Sequence, residues 1–241
     1  MQIKIDTHSH TIMSGHAYST LREMMMAAAK KGLQALAITE HGPVMPGTCD
    51  VFYFHNVEVI PREFCGVELL MGVELNITNE RGRVDLSESV CRKLDLVIAS
   101  IHPFCFDGEN ETSVITNAYV AAMEKSYIHI IGHPDDSRSL PDYEILVKAA
   151  KRTNTLLEVN NSSLSPYCYR MGVRENMLTM LDLCKQYDVF VTTGSDAHVD
   201  SDVGDFERIK EIFGYCDFPQ DLVVTKSYES LKSFLFSKKS G

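Results

Sequence analysis

The chain has 241 residues, 44% of them apolar and 23% charged, and it contains no run near the roughly 18 consecutive apolar residues that a membrane-spanning helix needs. That composition excludes disorder, a collagen or coiled-coil rod, and a membrane span. Lysine and arginine total 23 against 33 aspartates and glutamates, for a formal net charge of −10, which repels nucleic acid unless a local site reverses the field.

Short runs rich in valine, isoleucine and leucine alternate with helix-like segments. Ile3–Ile5 reads as a first buried strand. Thr20–Lys31 follows as a helix, with Thr20 and Glu23 placed for a capping box and Gly32 as its stop. Its Met24-Met25-Met26 run reads as packing surface, since methionine fills irregular gaps. Ala35–Thr39 is a second strand, Cys49–Gly66 an irregular stretch with one short helix, and Leu69–Val73 a third strand. Gly82–Leu94 is a weaker helix before a fourth strand, Leu96–Ile101. Thr112–Lys125 (helix), Ile128–Ile131 (strand), Asp142–Lys151 (helix behind Pro141), Leu156–Val159 (strand), Glu175–Tyr187 (helix), Val189–Thr193 (strand) and Glu207–Phe213 (helix) complete the alternation. Leu222–Thr225 is either an eighth strand or an extension before a last helix at Tyr228–Phe236. Strand and helix recurring about every 30 residues is the βαβ repeat, and seven such units close more naturally into a barrel than into a small open sheet.

No composition shift marks a linker, so a single domain over residues 1–241 is expected. The start, Met1 to Asp6, lacks the basic segment, apolar block and cleavage site of a secretory signal, which reads as cytoplasmic. Seven cysteines without a C-x-x-C pair suggest buried free thiols, not a disulfide framework or a thiolate zinc site.

The informative feature is where the histidines fall. Seven of nine lie at or past the carboxyl end of an expected strand: His8, His10 and His16 after the first, His41 after the second, His102 after the fourth, His133 after the fifth and His198 after the seventh. The third strand ends in Glu74, and Asp196 stands two residues before His198. In a β/α barrel all carboxyl ends open on one rim, so residues about 30 apart converge on one pocket. His8 and His10, two apart, can face one ion, and Asp6 is placed to support one of them from behind. So many buried imidazoles need a shared partner, and a metal cluster is that partner.

Nine ligands are too many for one zinc, which takes four positions. If Glu74 bridges two ions, nine side chains make ten bonds, dividing as four, three and three. Three divalent ions carry +6 against −2 from Glu74 and Asp196, leaving about +4. Such a pocket selects an anionic substrate. Clustered ions generate hydroxide from water at neutral pH, polarise a phosphoryl oxygen and stabilise the leaving alkoxide, which suits phosphoester hydrolysis. His129 lies inside a strand and reads as packing, and His55 has no matching role.

Asp6-Thr7-His8-Ser9-His10-Thr11, Ile38-Thr39-Glu40-His41-Gly42, Glu74, Ser100-Ile101-His102, Gly132-His133-Pro134 and Gly194-Ser195-Asp196-Ala197-His198 resemble the successive motifs of the PHP (polymerase and histidinol phosphatase) family. The resemblance runs over nearly the whole chain. It implies a distorted TIM-like (β/α)7 barrel and a metal-dependent phosphatase, hydrolysing a small phosphomonoester, that carries three zinc ions; imidazole-rich sites also accept manganese or iron. It also implies a division in which His8, His10, Glu74 and Asp196 hold the first ion, Glu74, His102 and His133 the second, and His16, His41 and His198 the third. The chain departs from the family at Glu40, where an aspartate is usual and where the longer arm could loosen the third ion. The loop from Asn160 to Arg170 resembles the subgroup's loop and implies substrate contacts by Ser162 and by Arg170, whose guanidinium can grip phosphate as a fork.

Three rivals bear weighing. A barrel amidohydrolase also begins with an H-x-H strand, but that group commonly uses a bridging lysine near the fourth strand, where this chain has His102. A regulatory or binding module would keep the metals without turnover. A phosphoesterase acting on nucleic-acid ends would share the chemistry, against the charge of −10 and the absence of a basic stripe. Substrate choice lies in the loops 44–66, 104–112 and 162–172.

Overall fold

The computed structural model describes residues 1–239. In chain order the elements are β1 (Ile5–Asp6), α1 (Leu21–Lys31), β2 (Ala35–His41), α2 (Val51–His55), β3 (Glu63–Phe64), β4 (Val67–Asn76), α3 (Glu88–Cys91), β5 (Leu96–Ser100), α4 (Thr112–Met123), β6 (Ile130–Ile131), α5 (Tyr143–Thr153), β7 (Leu156–Asn160), α6 (Val173–Tyr187), β8 (Val191–Gly194), α7 (Glu207–Tyr215) and α8 (Tyr228–Lys239). Helix punctuation acts as the residue types require. Thr20 and Glu23 form a reciprocal capping box on α1, and Gly32 closes it at φ +71°. Asp142 caps α5 through the Ile145 amide.

Seven strands run parallel in the order β1-β2-β4-β5-β6-β7-β8, and β3 pairs antiparallel on β4. The first and last members meet. The Asp196 amide donates to His8 O (2.8 Å) and the His10 amide to Ala197 O (2.9 Å), which joins the two edges at the carboxyl rim. At the opposite end the segment read as an eighth strand or extension forms two 3-10 turns. It wedges between β1 and β8 through Lys4 N to Thr225 O (2.9 Å) and a Val191–Val223 bridge. The result is a nearly closed barrel ringed by helices.

One inward face runs from apolar to polar along each strand, because successive side chains alternate sides. The basal residues Ala35, Ala37, Leu70, Leu96, Ile98, Ile130 and Leu156 form a small cluster with Ile5, sealed from below by Leu231 and Phe234 of α8. Further up the same faces stand Thr39 and His41 on β2, Glu74 and Asn76 on β4 above Gly72, and Glu158 and Asn160 on β7. On β5 the same register reaches Ser100 and, two residues past the strand, His102. The larger core lies outside, between strands and helices, and includes Met24, Met25, Phe54, Tyr119, Leu146, Met180 and Phe213. The base thus supplies a dry floor and the rim carries the chemistry.

Four sequence expectations change. The helix expected over 82–94 is one turn, Glu88–Cys91, because Ile77 bridges Val84 as a short hairpin that uses up the preceding residues. The irregular stretch before residue 66 holds α2 and also the hairpin strand β3. The thiols of Cys49, Cys91, Cys105 and Cys184 are buried as expected, but Cys65 is exposed in a left-handed turn at φ +53°. Met26 likewise turns outward while Met24 and Met25 pack. Among the described residues no helix is long and apolar enough to cross a membrane.

His129 packs at the foot of the barrel, where its Nδ1 accepts from the Val97 amide at 3.0 Å. His129→Leu should strand that buried amide and cost about 1–3 kcal/mol. Denaturant unfolding measures the loss, and metal content on the same sample should be unchanged.

Candidate metal centre

Glu74 is the centre of the rim. Fully buried, it places Oε2 2.7 Å from His41 Nδ1, 3.4 Å from His8 Nε2 and 3.6 Å from His10 Nε2. Its Oε1 lies 2.8 Å from His133 Nε2 and 3.4 Å from His102 Nε2. Asp196 Oδ1 stands 3.3 Å from His10 Nε2 and 3.7 Å from His8 Nε2. His16 joins through His41, Nε2 to Nε2 at 3.2 Å, and the His198 ring sits 4.5 Å from that of His10 and 5.0 Å from that of His16. All nine residues singled out by sequence therefore converge. Four triads among them bring donor atoms within 4.8 Å of one another: His8-His10-Asp196, His8-Glu74-His133, His41-Glu74-His102 and His10-His41-His198. His8 and His10 lie beyond the end of β1, in a stretch held to both neighbours by Thr39 N to Ser9 O and Asp196 N to His8 O, each 2.8 Å.

The fit to metal rests on how the rings are turned. His8 Nδ1 lies 2.8 Å from Glu158 Oε1, His102 Nδ1 2.8 Å from Asn76 Oδ1, and His198 Nδ1 2.9 Å from the Asp196 carbonyl. Each of these oxygens only accepts, so each Nδ1 carries the proton and each Nε2 is left with a lone pair. His10 Nδ1 meets Ser14 Oγ at 3.1 Å, and that hydroxyl already donates to Glu40, so the same tautomer follows. The His8 and His10 Nε2 atoms then face each other at 3.0 Å. Two lone pairs at that distance need a proton or a cation between them. Glu74 Oε2 and His41 Nδ1, close but out of line for a hydrogen bond, are both buried without a hydrogen-bond partner. The donor set and its geometry fit metal ions.

Electrostatics point the same way. Burial, then the neighbouring His41 and His198, hold the His10 imidazole well below its ordinary value, and burial takes His102 down to about 4 although Glu74 pulls upward. Burial would lower His8 too, but Glu158, Glu74 and Asp196 hold it well above the ordinary range, which marks a place where positive charge is wanted. His133 and Asp196 adopt left-handed backbone at φ +26° and +55°. For non-glycine residues this is costly and persists only when neighbours enforce it. The enforcing bonds are His133 N to Glu158 Oε2 and Asp196 N to His8 O, both 2.8 Å.

Several supports escaped the sequence reading. Asp6 holds no imidazole; its carboxylate accepts from the amides of Ser195 (2.9 Å), Gly204 (3.0 Å) and His8 (3.4 Å). Glu158 takes the role instead, with one oxygen on His8 and the other on His133, and Gly194 leaves it room: a Cβ there would lie 2.3 Å from Glu158 Oε1. An acid inside the apolar run Leu156-Leu157-Glu158-Val159 was the available signal. Asp85 orients Asn76, and so His102, by accepting from Asn76 Nδ2 at 2.6 Å. Glu40 accepts from Thr11 and Ser14 and so braces His10 as well as the His41 amide, which donates to Ser14 Oγ at 3.2 Å.

The ligand candidates floor a cavity of about 370 Å³ lined also by Ser162, Ser165, Phe104, Tyr167, Tyr169 and Arg170. The Arg170 side chain is not at the surface. Its guanidinium donates to Ser163 Oγ (2.6 Å) and Asp196 Oδ2 (3.3 Å), so its fork is largely engaged within the protein. Asp135, buried behind it, accepts from Ser163 Oγ at 3.1 Å, and burial raises its carboxyl to about 6 against the pull of Arg170 and His133.

A parallel barrel with a buried His/Glu/Asp cluster at its carboxyl rim defines a hydrolase of the metal-site barrel class. Residues 6–164 match the family model described as the PHP domain. A "Probable phosphatase" of Caldicellulosiruptor bescii is 43% identical over 235 residues, 98% of this chain and 96% of that protein; one of Thermoanaerobacter sp. (strain X514) is 42% identical over 239 residues, 99% and 97% of the two chains. The chain belongs to the PHP family, and it is a phosphatase. Among solved structures, histidinol phosphate phosphatase from Lactococcus lactis, complexed with zinc, L-histidinol and phosphate, superposes with a TM-score of 0.60 at 17% identity, over 91% of this chain and 95% of that one. At that identity the likeness is one of fold.

Glu158→Gln should loosen both His8 and His133. The expected result is a loss of metal affinity of about 10–100-fold, read by competition with a chromogenic chelator, with the unfolding midpoint little changed.

Proposed function

We propose that the chain hydrolyses a small, anionic phosphomonoester in the cytoplasm, as one domain over residues 1–241, with three divalent ions of zinc type. In this reading His8, His10, Glu74 and Asp196 hold the first ion, Glu74, His102 and His133 the second, and His16, His41 and His198 the third. The observation that carries it is the common tautomer: each of four rings has its Nδ1 tied to an oxygen and its Nε2 left with a lone pair, an arrangement that costs desolvation in a buried cluster unless cations sit there. When bound, such ions activate water, polarise a phosphoryl oxygen and stabilise the leaving alkoxide. The Lactococcus lactis enzyme's complex with L-histidinol and phosphate supports a small phosphorylated alcohol as the kind of substrate.

The chain's own residues then have separable tasks. Glu74 keeps two of the three sites at a fixed spacing and supplies negative charge between them. Arg170 steadies Asp196 and offers its remaining edge, with the Ser162 hydroxyl, to a phosphate in the cavity. Asp135 and Ser163 keep that arginine from turning away. His16 is exposed and His198 half-buried, whereas His8, His10 and Glu74 are sealed from solvent, so the third ion is the most readily exchanged. The charge of −10 weighs against nucleic-acid ends as the substrate.

Protein purified without chelator should carry between two and three transition-metal ions per chain by elemental analysis; one or fewer would overturn the trinuclear reading. Glu74→Gln removes the bridging charge, and should lose at least one ion and lower phosphomonoester turnover by about 100-fold or more. Full occupancy with near-normal turnover would show that Glu74 is no bridge.

A further inference from the structure

Arg170 lies in the connection from β7 to α6 and lines the cavity above the candidate ligands. Part of its fork is taken up by Ser163 and Asp196. How the remaining edge faces a phosphate therefore depends on where this loop holds its backbone. A loop places a side chain well only when contacts from outside it fix its course.

Those contacts come from the neighbouring connection, β6 to α5. There Asp136 caps the turn Ser137–Ser139 and pairs with Arg138, whose Nε lies 3.1 and 3.0 Å from its two oxygens and whose Nη2 lies 2.6 Å from Oδ2. Each half of that pair also reaches the loop of Arg170. Asp136 Oδ1 accepts from the Met171 amide at 3.3 Å, beside a bond of 2.8 Å from Ser137 N to Met171 O. The Arg138 guanidinium lies over the Tyr169 ring, 4.9 Å from its centre. Tyr169 precedes Arg170 and Met171 follows it, so one ion pair holds both chain neighbours of the candidate phosphate contact. Gly172 lets the two connections approach, since a Cβ there would lie 2.1 Å from Ser137 Oγ.

The chemistry of the pair suits a brace. Burial would raise the Asp136 carboxyl, but hydrogen bonds from the Arg138 side chain and from the Arg138 and Met171 amides hold it below its ordinary value, so it stays ionised. Its charge offsets that of Arg138, and the guanidinium keeps a planar face for the ring. Tyr169 is 60% exposed, so packing alone does not fix it, and its ring is also 5.9 Å from the Arg170 guanidinium. Arg138 itself does not line the cavity. Its influence on a bound phosphate has to pass through the loop of Arg170.

We infer that Arg138 is a positioning residue for phosphate binding: paired with Asp136 and lying over Tyr169, it holds the β7–α6 loop so that the open edge of Arg170 faces the cavity. The inference rests on the reading of Arg170 as a phosphate contact in a phosphomonoesterase. The test measures the dissociation constant of inorganic phosphate by calorimetry, and KM and kcat for 4-nitrophenyl phosphate, on protein reconstituted with zinc. Arg138→Gln should weaken phosphate binding and raise KM about two- to fivefold, the weight of one cation–ring contact at a partly exposed site. The turnover number, metal content and unfolding midpoint should be nearly unchanged, a split that general loosening of the fold would not give. In an Arg170→Gln background, already weakened for phosphate, Arg138→Gln should add nothing, because it acts only through that guanidinium. An unchanged dissociation constant, equal losses in both backgrounds, or a fall in kcat alone would overturn the brace while leaving the phosphomonoesterase intact. Phosphate binding untouched by Arg170→Gln would remove Arg170 as a phosphate contact and the brace with it. Absence of ester turnover in the unaltered protein would instead sink the phosphomonoesterase reading itself.

Discussion

A carboxylate buried among five imidazoles organises this molecule. Glu74 lies within 3.6 Å of ring nitrogens of His8, His10, His41, His102 and His133, and none of these groups has bulk water to solvate it. The tautomers fixed by Glu158, Asn76, Ser14 and the Asp196 carbonyl turn lone pairs toward the same small volume. In the protein alone that arrangement is frustrated: two Nε2 atoms face each other at 3.0 Å, and buried donor atoms lack partners. A cluster of cations would remove the conflict, and the barrel's own packing tolerates it because the apolar floor and outer core stabilise the fold independently.

The rest of the structure can be understood as support for that arrangement. Each inward strand face changes from aliphatic to polar within one or two side-chain repeats, so the same backbone that packs the base also aims the rim. Glu158 is the economical part of the support, since its two oxygens fix the ring of one candidate ligand and the left-handed backbone of another. Asp85 acts on His102 through Asn76, and Glu40 acts on His10 through Ser14, so the protein's acids outside the cluster mostly serve to hold its histidines in one orientation.

Much of this is legible in the sequence because parallel strands separated by about 30 residues must deliver their carboxyl ends to one rim. His41, Glu74 and His102 could be placed together from spacing alone, and the capping box of α1 could be read from Thr20 and Glu23. What could not be read depends on which residue meets which across the barrel. Glu158 and His8 are 150 positions apart, and nothing local distinguishes Glu158 from Asp6 as the acid behind His8. The short hairpin of Ile77 with Val84 displaced an expected helix because pairing between loop residues leaves no periodic trace. Arg170 looked like a free phosphate fork because its engagement by Ser163 and Asp196 is set by the course of one loop.

On the function proposed above, three cations would occupy the volume defined by these nine residues. Anomalous diffraction from crystals of untreated protein, collected above and below the zinc absorption edge, addresses it directly. Three peaks are expected: one among His8, His10, Glu74 and Asp196, one among Glu74, His102 and His133, and one among His16, His41 and His198. A single peak, or peaks away from Glu74, would contradict it.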